Sequence, residues 1–371
     1  MPAVAAAIDA IADKVFANER IDEKEALFLL ENANPLELAT LANHRRQQLA
    51  PGNTVTYVIG RILNYTNVCW VRCKFCAFYR VPGDAEGYLL SDDQILEKVK
   101  DTVDKGGVEI LFQGGLNPKL KIDYFEGIFK KIKAAYPQVI LHALSPAEIV
   151  YIAHISKLTL PDCLQRLHRA GLHSIPGAGG EILVDRVRNL IAPHKDKTED
   201  WLACMRAAAN LGIRSTASMM YGHVETLAER VEHLKRIRDL QDECAPFRAF
   251  IAWNFQPEDT QLPIERKAGP ADYLRTVAVS RIYLDNVPNL QVSILTQGPK
   301  IAQLALGYGA NDFGSVMIEE NVVSAAGSKF IVDAGEFEHL ISAARYVPKR
   351  RNTRYEILDP IDPRPAAATS A

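Results

Sequence analysis

The sequence lacks an excess of charge of either sign, and it lacks long apolar runs. Its 43 lysine and arginine residues nearly balance 45 aspartate and glutamate residues, and the formal net charge is −2. This balance gives no general electrostatic reason to expect binding to nucleic acid or to an anionic membrane. No stretch approaches the roughly 18 uninterrupted apolar residues of a membrane span. Residues 1–16 contain Asp9, Asp13 and Lys14, unlike the apolar core of a secretion signal. A cytoplasmic protein is therefore expected.

Cysteine is also scarce, and its six residues are unevenly distributed. A chain of 371 residues that is 48% hydrophobic can build its own core, so a disulfide framework is not expected. Cys163, Cys204 and Cys244 are scattered over helical patterns, and we expect them to be inert buried thiols. The remaining three, which fall within a stretch of eight residues, are Cys69, Cys73 and Cys76.

The sequence contains no repeat with a period of about 20–50 residues, so the fold is predicted from hydrophobic patterning. After Pro51 and Gly52, short apolar runs alternate with longer amphipathic segments. The candidate strands are 54–61, 108–112, 139–144, 172–175, 213–219, 248–254, 290–295 and 313–318. The predicted helices between them are 91–105, 123–136, 160–170, 179–191, 198–211, 226–242, 270–286 and 298–306. This alternation predicts parallel strands with right-handed crossovers, and eight such units favour an α/β fold that closes as a (β/α)8 TIM-like barrel.

Three regions follow from this pattern. Residues 1–50 are predicted to form an N-terminal helical extension, and residues 51–335 the barrel. Residues 336–371 are predicted to form a C-terminal helix and a loose tail, because 359–371 are rich in proline and alanine. In such barrels the chemistry lies at the carboxyl ends of the strands. Polar residues recur there, among them Gln113, Gly114, Gly115, His142, Ser145, His223, Glu225, Asn254, Gln256, Thr296 and Gln297.

The three clustered cysteines have the spacing Cys-x3-Cys-x2-Cys. In a regular helix they would share one face, so packing in a core is the plain alternative. A helix would also separate the outer two by roughly 10 Å, at about 1.5 Å per residue, which is too far for one iron–sulfur cluster. A cluster site therefore requires a wrapped loop here. Structural zinc is disfavoured because it normally needs a fourth ligand nearby, and the next histidine downstream is His142.

Three thiolates are one fewer than the four that hold an ordinary electron-transfer 4Fe-4S cluster. The missing ligand leaves one iron open to bind the amino and carboxylate groups of S-adenosylmethionine (SAM). An electron delivered through such a cluster cleaves SAM and releases a 5′-deoxyadenosyl radical, while the protein orients the cofactor and excludes water and oxygen. The sequence therefore predicts a 4Fe-4S cluster, held by Cys69, Cys73 and Cys76, and SAM as cofactors.

The cysteine motif, with Phe75 before its last cysteine, resembles that of the radical SAM superfamily. Further motifs make the resemblance narrower and extend it over nearly the whole chain. They are NYTNVC at 64–69, CKFCAFYR at 73–80, QGGLNP at 113–118, SIPGAGGEILVDRVR at 174–188, MMYGHVETLAERVEHL at 219–234 and GANDFGSVMIEENVVSAAG at 309–327. Together they resemble the cyclic dehypoxanthinyl futalosine synthases of the futalosine route to menaquinone.

This resemblance implies a reaction. The deoxyadenosyl radical would abstract the ribose C4′ hydrogen of dehypoxanthine futalosine, the carbon radical would add to the aromatic ring, and loss of an electron and a proton would restore aromaticity. A reducing partner such as flavodoxin or ferredoxin is also implied. Aminofutalosine synthase and the deazaflavin-forming synthases of cofactor F420 are the alternatives within the superfamily. A non-catalytic iron–sulfur electron carrier is the alternative from another class.

The resemblance and the strand ends together suggest which residues bind the cofactor. The candidates are Phe75, Phe78, Gln113, Gly114, Gly115, Ser145, Glu181 and Arg186. The aromatic pair would pack on adenine or shield the cluster, and the Gln-Gly-Gly segment matches the one that binds the SAM amino group. The plain alternatives are core packing for the aromatic pair, an ordinary strand-to-helix turn for the glycines, and a helix-start carboxylate for the glutamate.

The last step of the reaction needs a base to remove a proton. His142, His223 and Glu225 are the candidates, because they follow predicted strands and histidine titrates near neutral pH. A hydrogen-bonded structural histidine is the plain alternative for either ring. The substrate carries a carboxylate, for which Arg61 and Arg80 are candidate partners.

The chain departs from the family pattern at two places beside the expected site. Arg72 precedes the second cysteine, where the family typically has glycine. The family's Gly-Gly-Gly-Ala-Glu is here the segment 177–181, with the sequence GAGGE. The added positive charge of Arg72 would affect the redox poise of a cluster or the docking of a partner.

Overall fold

The computed structural model describes residues 2–328 and 330–358 of the chain. Its strands are β1 (Thr54–Asn64), β2 (Glu109–Gln113), β3 (Ile140–Ala143), β4 (Leu172–Ile175), β5 (Arg214–Tyr221), β6 (Phe247–Asn254), β7 (Asn289–Gln291), β8 (Asp312–Met317) and β9 (Val347–Arg350). Its α-helices are α1 (Pro2–Phe16), α2 (Glu23–Asn32), α3 (Pro35–Leu49), α4 (Asp92–Asp104), α5 (Ile122–Ala135), α6 (Pro146–Ser156), α7 (Leu160–Ala170), α8 (Asp185–Ile191), α9 (Thr198–Asn210), α10 (Leu227–Cys244), α11 (Pro270–Tyr283), α12 (Ile294–Gln297), α13 (Pro299–Ala305) and α14 (Ala334–Ala343). The predicted loose tail, 359–371, lies outside the described residues.

The strands β1 to β8 form a closed parallel barrel. Neighbouring strands pair in chain order, and β1 pairs with both β2 and β8, which closes the ring. Helices connect the successive strands and surround the barrel, so the core lies between the outer faces of the strands and the helices. Phe112 on β2, Phe250 on β6 and Trp201 on α9 are fully buried in this layer. The prediction of a (β/α)8 barrel is confirmed.

The helices that follow the strands begin where their sequences provide caps. Ser91 accepts a hydrogen bond from the backbone of Gln94, whose side chain accepts one from the backbone of Ser91 in return. Thr226 and Glu229 make the same reciprocal pair at the start of α10. Each pair satisfies two backbone donors that the first turn of a helix leaves free.

The N-terminal helices pack on the outside of the barrel. Helix α2 contacts α10 and α11, and α3 contacts α11. The division into an extension at 1–50 and a barrel from 51 stays a proposal. No helix within the described ranges is long and apolar enough to cross a membrane.

Two predicted elements are wrong at one end. The helix predicted for 179–191 begins only at Asp185, because Gly179 (φ +84°) and Glu181 (φ +36°) adopt left-handed backbone conformations that an α-helix excludes. The strand predicted for 290–295 ends at Gln291. The backbone N–H of Ser293 donates to the hydroxyl of Tyr273 (2.8 Å) rather than to a neighbouring strand, and α12 starts directly afterwards.

Two other elements, α6 and β9, were not predicted. Helix α6 begins at Pro146 and is capped by Ser145, and the fixed φ of proline suits the first turn of a helix. Strand β9 contains a proline and pairs only with the amino-terminal half of β1, from Thr54 to Tyr57. It therefore extends the barrel wall at the end opposite the carboxyl ends of the strands.

The segment after β9 closes the floor of the barrel. Arg351 donates from Nε and Nη2 to the carboxylate of Asp312, at 2.5 and 2.8 Å, and both side chains are buried. Thr353 donates to Glu109 on β2 (2.7 Å). The ring of Tyr355 lies 3.9 Å from the guanidinium of Arg351. These contacts join the C-terminal segment to strands on both sides of β1.

Replacing Arg351 with leucine is expected to lower the free energy of unfolding by about 3–5 kcal/mol, because it leaves the Asp312 carboxylate buried without its cation. Replacing both residues with leucine should recover most of that loss. Urea denaturation followed by circular dichroism measures the effect. The control is Lys100→Ala, which breaks an exposed pair with Asp104 and should cost less than about 0.5 kcal/mol. An equal loss in the single and double variants would contradict the prediction.

Candidate active site

The three clustered cysteines lie on an irregular loop that leaves the carboxyl end of β1. The loop is folded by backbone hydrogen bonds from Cys69 to Arg80 (2.8 Å) and from Cys76 to Cys73 (3.1 Å). A third, from Lys74 to Ile191 (2.8 Å), fixes it to the end of α8. The segment is therefore a wrapped loop, as the cysteine spacing requires for a cluster, and not the helix of the plain alternative.

The three thiols lie on one loop, and two of them have a raised pKa. Burial is the main cause that raises the pKa of Cys73, and Cys76 and Cys69 raise it further. Burial likewise raises the pKa of Cys76. The hydrogen bonds that its sulfur accepts from the backbone N–H groups of Tyr79 and Phe78 lower this pKa, but by less. Such thiols become thiolates when a metal replaces their protons.

The donor set fits a cluster better than a single ion. Nowhere in the described ranges do three histidine, cysteine, aspartate or glutamate side chains form a group suited to one metal ion. A mononuclear site would draw its sulfurs to about 2.3 Å from one centre, whereas in a cubane each thiolate binds a different iron. Three free cysteine thiols on one loop are the donor set that a 4Fe-4S cluster with one open iron would need.

The glycines after β2 are required by the protein's own chain. A Cβ on Gly115 would lie 2.3 Å from the carbonyl oxygen of Val68, and one on Gly114 would lie 2.8 Å from the ring of Tyr65. The backbone N–H of Gly115 donates to Thr66 (3.0 Å). The predicted reason for these glycines was close approach to a ligand; in the structure they allow β2 to end against the cysteine loop.

A buried carboxylate that the sequence analysis did not single out organises the same region. Glu148 on α6 accepts from the hydroxyl of Tyr65 (2.9 Å) and from the backbone N–H of Gly114 (3.0 Å) with one oxygen. Its other oxygen accepts from the backbone and the hydroxyl of Ser145, both at 2.7 Å. Burial is the largest cause that raises its pKa. The available signal was the capping pattern Ser-Pro-Ala-Glu at 145–148.

Ser145 and Gln113, two predicted contacts of SAM, differ in whether the protein already binds their side chains. Ser145 is the cap of α6, and its hydroxyl is bound to Glu148, so its predicted contact with SAM competes with an existing hydrogen bond. Gln113 is the last residue of β2 and lines the central cavity. Its side-chain amide has no hydrogen-bond partner within the described part of the chain, and it remains available to a ligand.

A charged group lies beside the cysteine loop, and it includes one predicted residue. Lys195 donates to Glu181 (2.7 Å), and its ammonium lies 5.5 Å from the centre of the Phe75 ring. Burial lowers the pKa of Lys195, but Glu181 and Cys73 outweigh it, so the net direction is upward. The side chain of Lys195 was missed because no motif marks it; the loop between α8 and α9 brings it here.

Arg186 does not join this group. Its side chain is half exposed and donates to Glu229 at the surface, whereas the buried arginine of α8 is Arg188, which donates to the carbonyl groups of Gly179 and Gly180. The geometry therefore gives the predicted contact of Arg186 with SAM no support. Phe78, the other predicted aromatic residue, packs edge-on against the ring of Tyr88.

The barrel interior contains a cavity of about 340 Å³. Apolar side chains of several strands line it, including Ile62, Leu111 and Ile251. It extends from Gln113 at the carboxyl ends of the strands to Tyr355 at the floor. The cavity therefore lies along the barrel axis below the cysteine loop, where a substrate would be shielded from water.

The two predicted histidines occupy different places. His142 lines the central cavity. His223 is packed outside it: its Nε2 is 3.0 Å from the carbonyl oxygen of Met220, and its Nδ1 accepts from the backbone of Val224 (2.7 Å). Both of its nitrogens are thus occupied by the protein. Burial lowers the pKa of each ring, so both are neutral near pH 7.

Glu225 is held in the turn after β5. It accepts from the backbone N–H groups of Gly222 (2.6 Å) and His223 (2.9 Å) and from Arg230 (2.9 Å). Burial acts to raise its pKa, but His223 and Arg230 outweigh this effect and the pKa is lowered. The structure brings Glu225 to His223, and it brings neither of them to the central cavity, so their catalytic role stays a prediction without geometric support.

The predicted carboxylate-binding arginines are both engaged. Arg61 lines the central cavity and donates to Asp101 and Glu319. Arg80 pairs with Glu86 (2.6 Å). Arg72 is exposed with φ +57°, a conformation that costs a residue with a side chain more than it costs glycine.

Replacing Gly115 with alanine is expected to displace the cysteine loop, because the new methyl group would overlap the backbone of Val68 and the Cβ of Cys69. After anaerobic reconstitution with iron and sulfide, the variant should show less than about a third of the wild-type absorbance near 400 nm. The matched control is Gly127→Ala on α5, where a Cβ meets nothing within 4 Å and alanine favours the helix. Equal cluster content in both variants would refute the packing argument.

Comparisons with known proteins agree with this geometry. Residues 63–237 match the model of the radical SAM superfamily, and residues 244–363 match the CofH/MqnC C-terminal region. The crystal structure of methylornithine synthase superposes with a TM-score of 0.73 over 92% of this chain and 97% of that chain, at 16% identity. At this identity the likeness concerns the fold alone.

Similar sequences have two kinds of name. The cyclic dehypoxanthine futalosine synthase of Halalkalibacterium halodurans is 45% identical over 97% of both chains, and that of Streptomyces coelicolor is 44% identical over 95% of this chain and 92% of its own. The 5-amino-6-(D-ribitylamino)uracil–L-tyrosine 4-hydroxyphenyl transferase of Methanococcoides burtonii is 39% identical over 94% of this chain and 98% of its own. The chain therefore belongs to the radical SAM superfamily, in the family that contains the cyclic dehypoxanthine futalosine synthases.

Proposed function

We propose that the chain is a radical SAM cyclase that converts dehypoxanthine futalosine into cyclic dehypoxanthinyl futalosine in menaquinone biosynthesis. The observation that carries the proposal is the 45% identity to a synthase of this name over 97% of both chains. The substrate itself is inferred from that similarity, because the geometry of a cavity lined by mixed side chains does not specify a futalosine. The proposal includes a flavodoxin- or ferredoxin-type reducing partner and a cytoplasmic setting.

Cys69, Cys73 and Cys76 would hold the 4Fe-4S cluster. When bound, such a cluster passes an electron to SAM, which then yields methionine and the 5′-deoxyadenosyl radical. Gln113 offers a free side-chain amide beside this site, whereas the backbone N–H groups of Gly114 and Gly115 are already used by the protein. Contact of Gln113 with the SAM amino group is therefore proposed through its side chain.

Glu181 and Lys195 would orient the polar end of SAM. They form a buried ion pair next to Cys73 and Phe75. The carboxylate of Glu181 can bind an ammonium group, and the ammonium of Lys195 can bind a carboxylate. The two side chains can therefore exchange their mutual contact for contacts with the amino-acid part of SAM. Phe75 and Phe78 would exclude water around it, which protects a radical from side reactions.

The 4-hydroxyphenyl transferase reaction is the second candidate, because a transferase of this name is 39% identical over nearly the whole chain. Both reactions begin with the same radical and differ in the substrate. A cyclase needs one molecule in the cavity, whereas the transferase needs tyrosine and a ribitylaminouracil together. The two proposals are therefore separated by the substrate that is consumed.

Incubation of the anaerobically reconstituted enzyme with SAM, dithionite and dehypoxanthine futalosine is expected to give 5′-deoxyadenosine and the cyclised product, measured by liquid chromatography and mass spectrometry. Tyrosine with 5-amino-6-(D-ribitylamino)uracil should give no coupled product. Coupling of these two without cyclisation would establish the transferase instead. Absence of 5′-deoxyadenosine in every mixture would leave the electron carrier as the better interpretation.

Replacing any one of Cys69, Cys73 and Cys76 with alanine is expected to abolish the visible absorbance of the cluster and to reduce 5′-deoxyadenosine formation at least about 1000-fold, because the two remaining thiolates cannot hold the cluster. Cys244→Ala is the matched control, because this thiol lies at the end of α10, away from the loop. Retained absorbance and activity in a loop variant would disprove the ligand assignment.

A further inference from the structure

The hydrogen bonds around His142 determine which of its nitrogens carries the proton. The hydroxyl of Ser174 lies 2.8 Å from the carbonyl oxygen of Arg214, and a carbonyl oxygen only accepts, so the single hydroxyl proton is used there. The same hydroxyl oxygen is 2.9 Å from Nδ1 of His142. Nδ1 must then carry a proton and donate to it. In the neutral ring this leaves Nε2 with a free lone pair.

The environment keeps this ring neutral. Burial is the largest cause that lowers the pKa of His142, and the positive charges of Arg351 and Arg248 lower it further, against the carboxylate of Glu109. The adjoining group on β4, Ser174, is uncharged. His142 lines the cavity, and Nε2 has no partner among the residues that the structure describes. It is therefore a neutral acceptor at the cavity wall.

The other basic groups that line the cavity are more fully occupied. Glu319 binds Lys98 and Arg61, and Glu320 accepts three backbone N–H groups of the turn that follows it. Glu109 accepts from Thr353 on one oxygen and lies at the floor. Within the described residues Glu109 keeps its second oxygen free, but His142 is the free acceptor farther from the floor, because it pairs with Leu111, two residues beyond Glu109 on β2.

We infer that Nε2 of His142 accepts the proton that the substrate ring loses in the last step of cyclisation, and that Ser174 is the positioning residue that fixes its tautomer. The inference rests on the proposed function. The C–H bond at the ring carbon attacked by the ribose radical breaks, its proton goes to Nε2, and its electron pair joins the ring. One electron leaves the ring to a one-electron acceptor of the iron–sulfur class, and aromaticity returns.

The variant that tests this is His142→Asn, whose side-chain amide can still donate to Ser174 but has no base at the position of Nε2. Formation of 5′-deoxyadenosine should stay within about twofold of wild type, because hydrogen abstraction precedes proton loss. The ratio of cyclised product to 5′-deoxyadenosine should fall at least about 100-fold, as expected when a general base is removed. Cluster absorbance and the unfolding midpoint confirm that the variant is folded.

The tautomer is tested without turnover. The 15N spectrum of the histidine-labelled protein, assigned by difference with His142→Asn, should show a protonated Nδ1 and an unprotonated Nε2 at pH 7.5. Ser174→Ala should remove this preference and lower the product ratio by about tenfold, whereas Ser174→Thr should restore both. Because the pKa of His142 is below its ordinary value of 6.5, the wild-type product ratio should be flat from pH 7 to 8 and fall only in more acidic solution.

The outcomes separate the inference from the proposed function. If the wild-type protein forms no cyclised product, the proposed function fails. If the wild-type protein cyclises its substrate and His142→Asn keeps the wild-type product ratio, the inference is overturned. It is also overturned if Nε2 carries the proton in the spectrum, or if Glu109→Gln uncouples the reaction while His142→Asn does not.

Discussion

The buried carboxylate of Glu148 is the interaction on which the arrangement of the site depends. Its two oxygens bind the loop after β1 through Tyr65, the turn after β2 through Gly114, and the start of α6 after β3 through Ser145. Three consecutive strand ends are thereby held in one position. Because an unpaired carboxylate in this environment would be costly, the three loops and Glu148 stabilise one another.

Periodicity was sufficient to predict the barrel, since alternating apolar and amphipathic segments have few other solutions. It was insufficient where a single backbone angle, or a side chain distant in sequence, determines where a helix or strand begins or ends. Glu181 has φ +36°, and a helical sequence pattern does not reveal this angle. Just after β7, the backbone N–H of Ser293 donates to Tyr273 on α11, and the sequence around β7 does not reveal this contact. The cysteine loop was predictable from spacing, whereas Lys195 reaches it through a loop that has no motif.

The candidate bases show the same limit of prediction from sequence. His142, His223 and Glu225 had similar sequence signals, because each lies at or just after the carboxyl end of a predicted strand. Only the side-chain partners distinguish them: His223 and Glu225 are enclosed by backbone groups and Arg230, and His142 faces the cavity. The direction of a side chain around a barrel depends on strand register and local irregularities, such as the shift between β3 and β4, and a single sequence does not display these.

The floor of the barrel has a consequence for synthesis of the chain. Arg351, Thr353 and Tyr355 line the cavity, yet they follow all eight barrel strands in sequence. A nascent chain that has already folded its cysteine loop would still have a barrel open at its lower end, through which solvent and oxygen reach the axis. The segment after β9 closes this end of the barrel, and it follows all eight barrel strands in sequence. Enclosure of the cavity therefore requires that this segment has been synthesised.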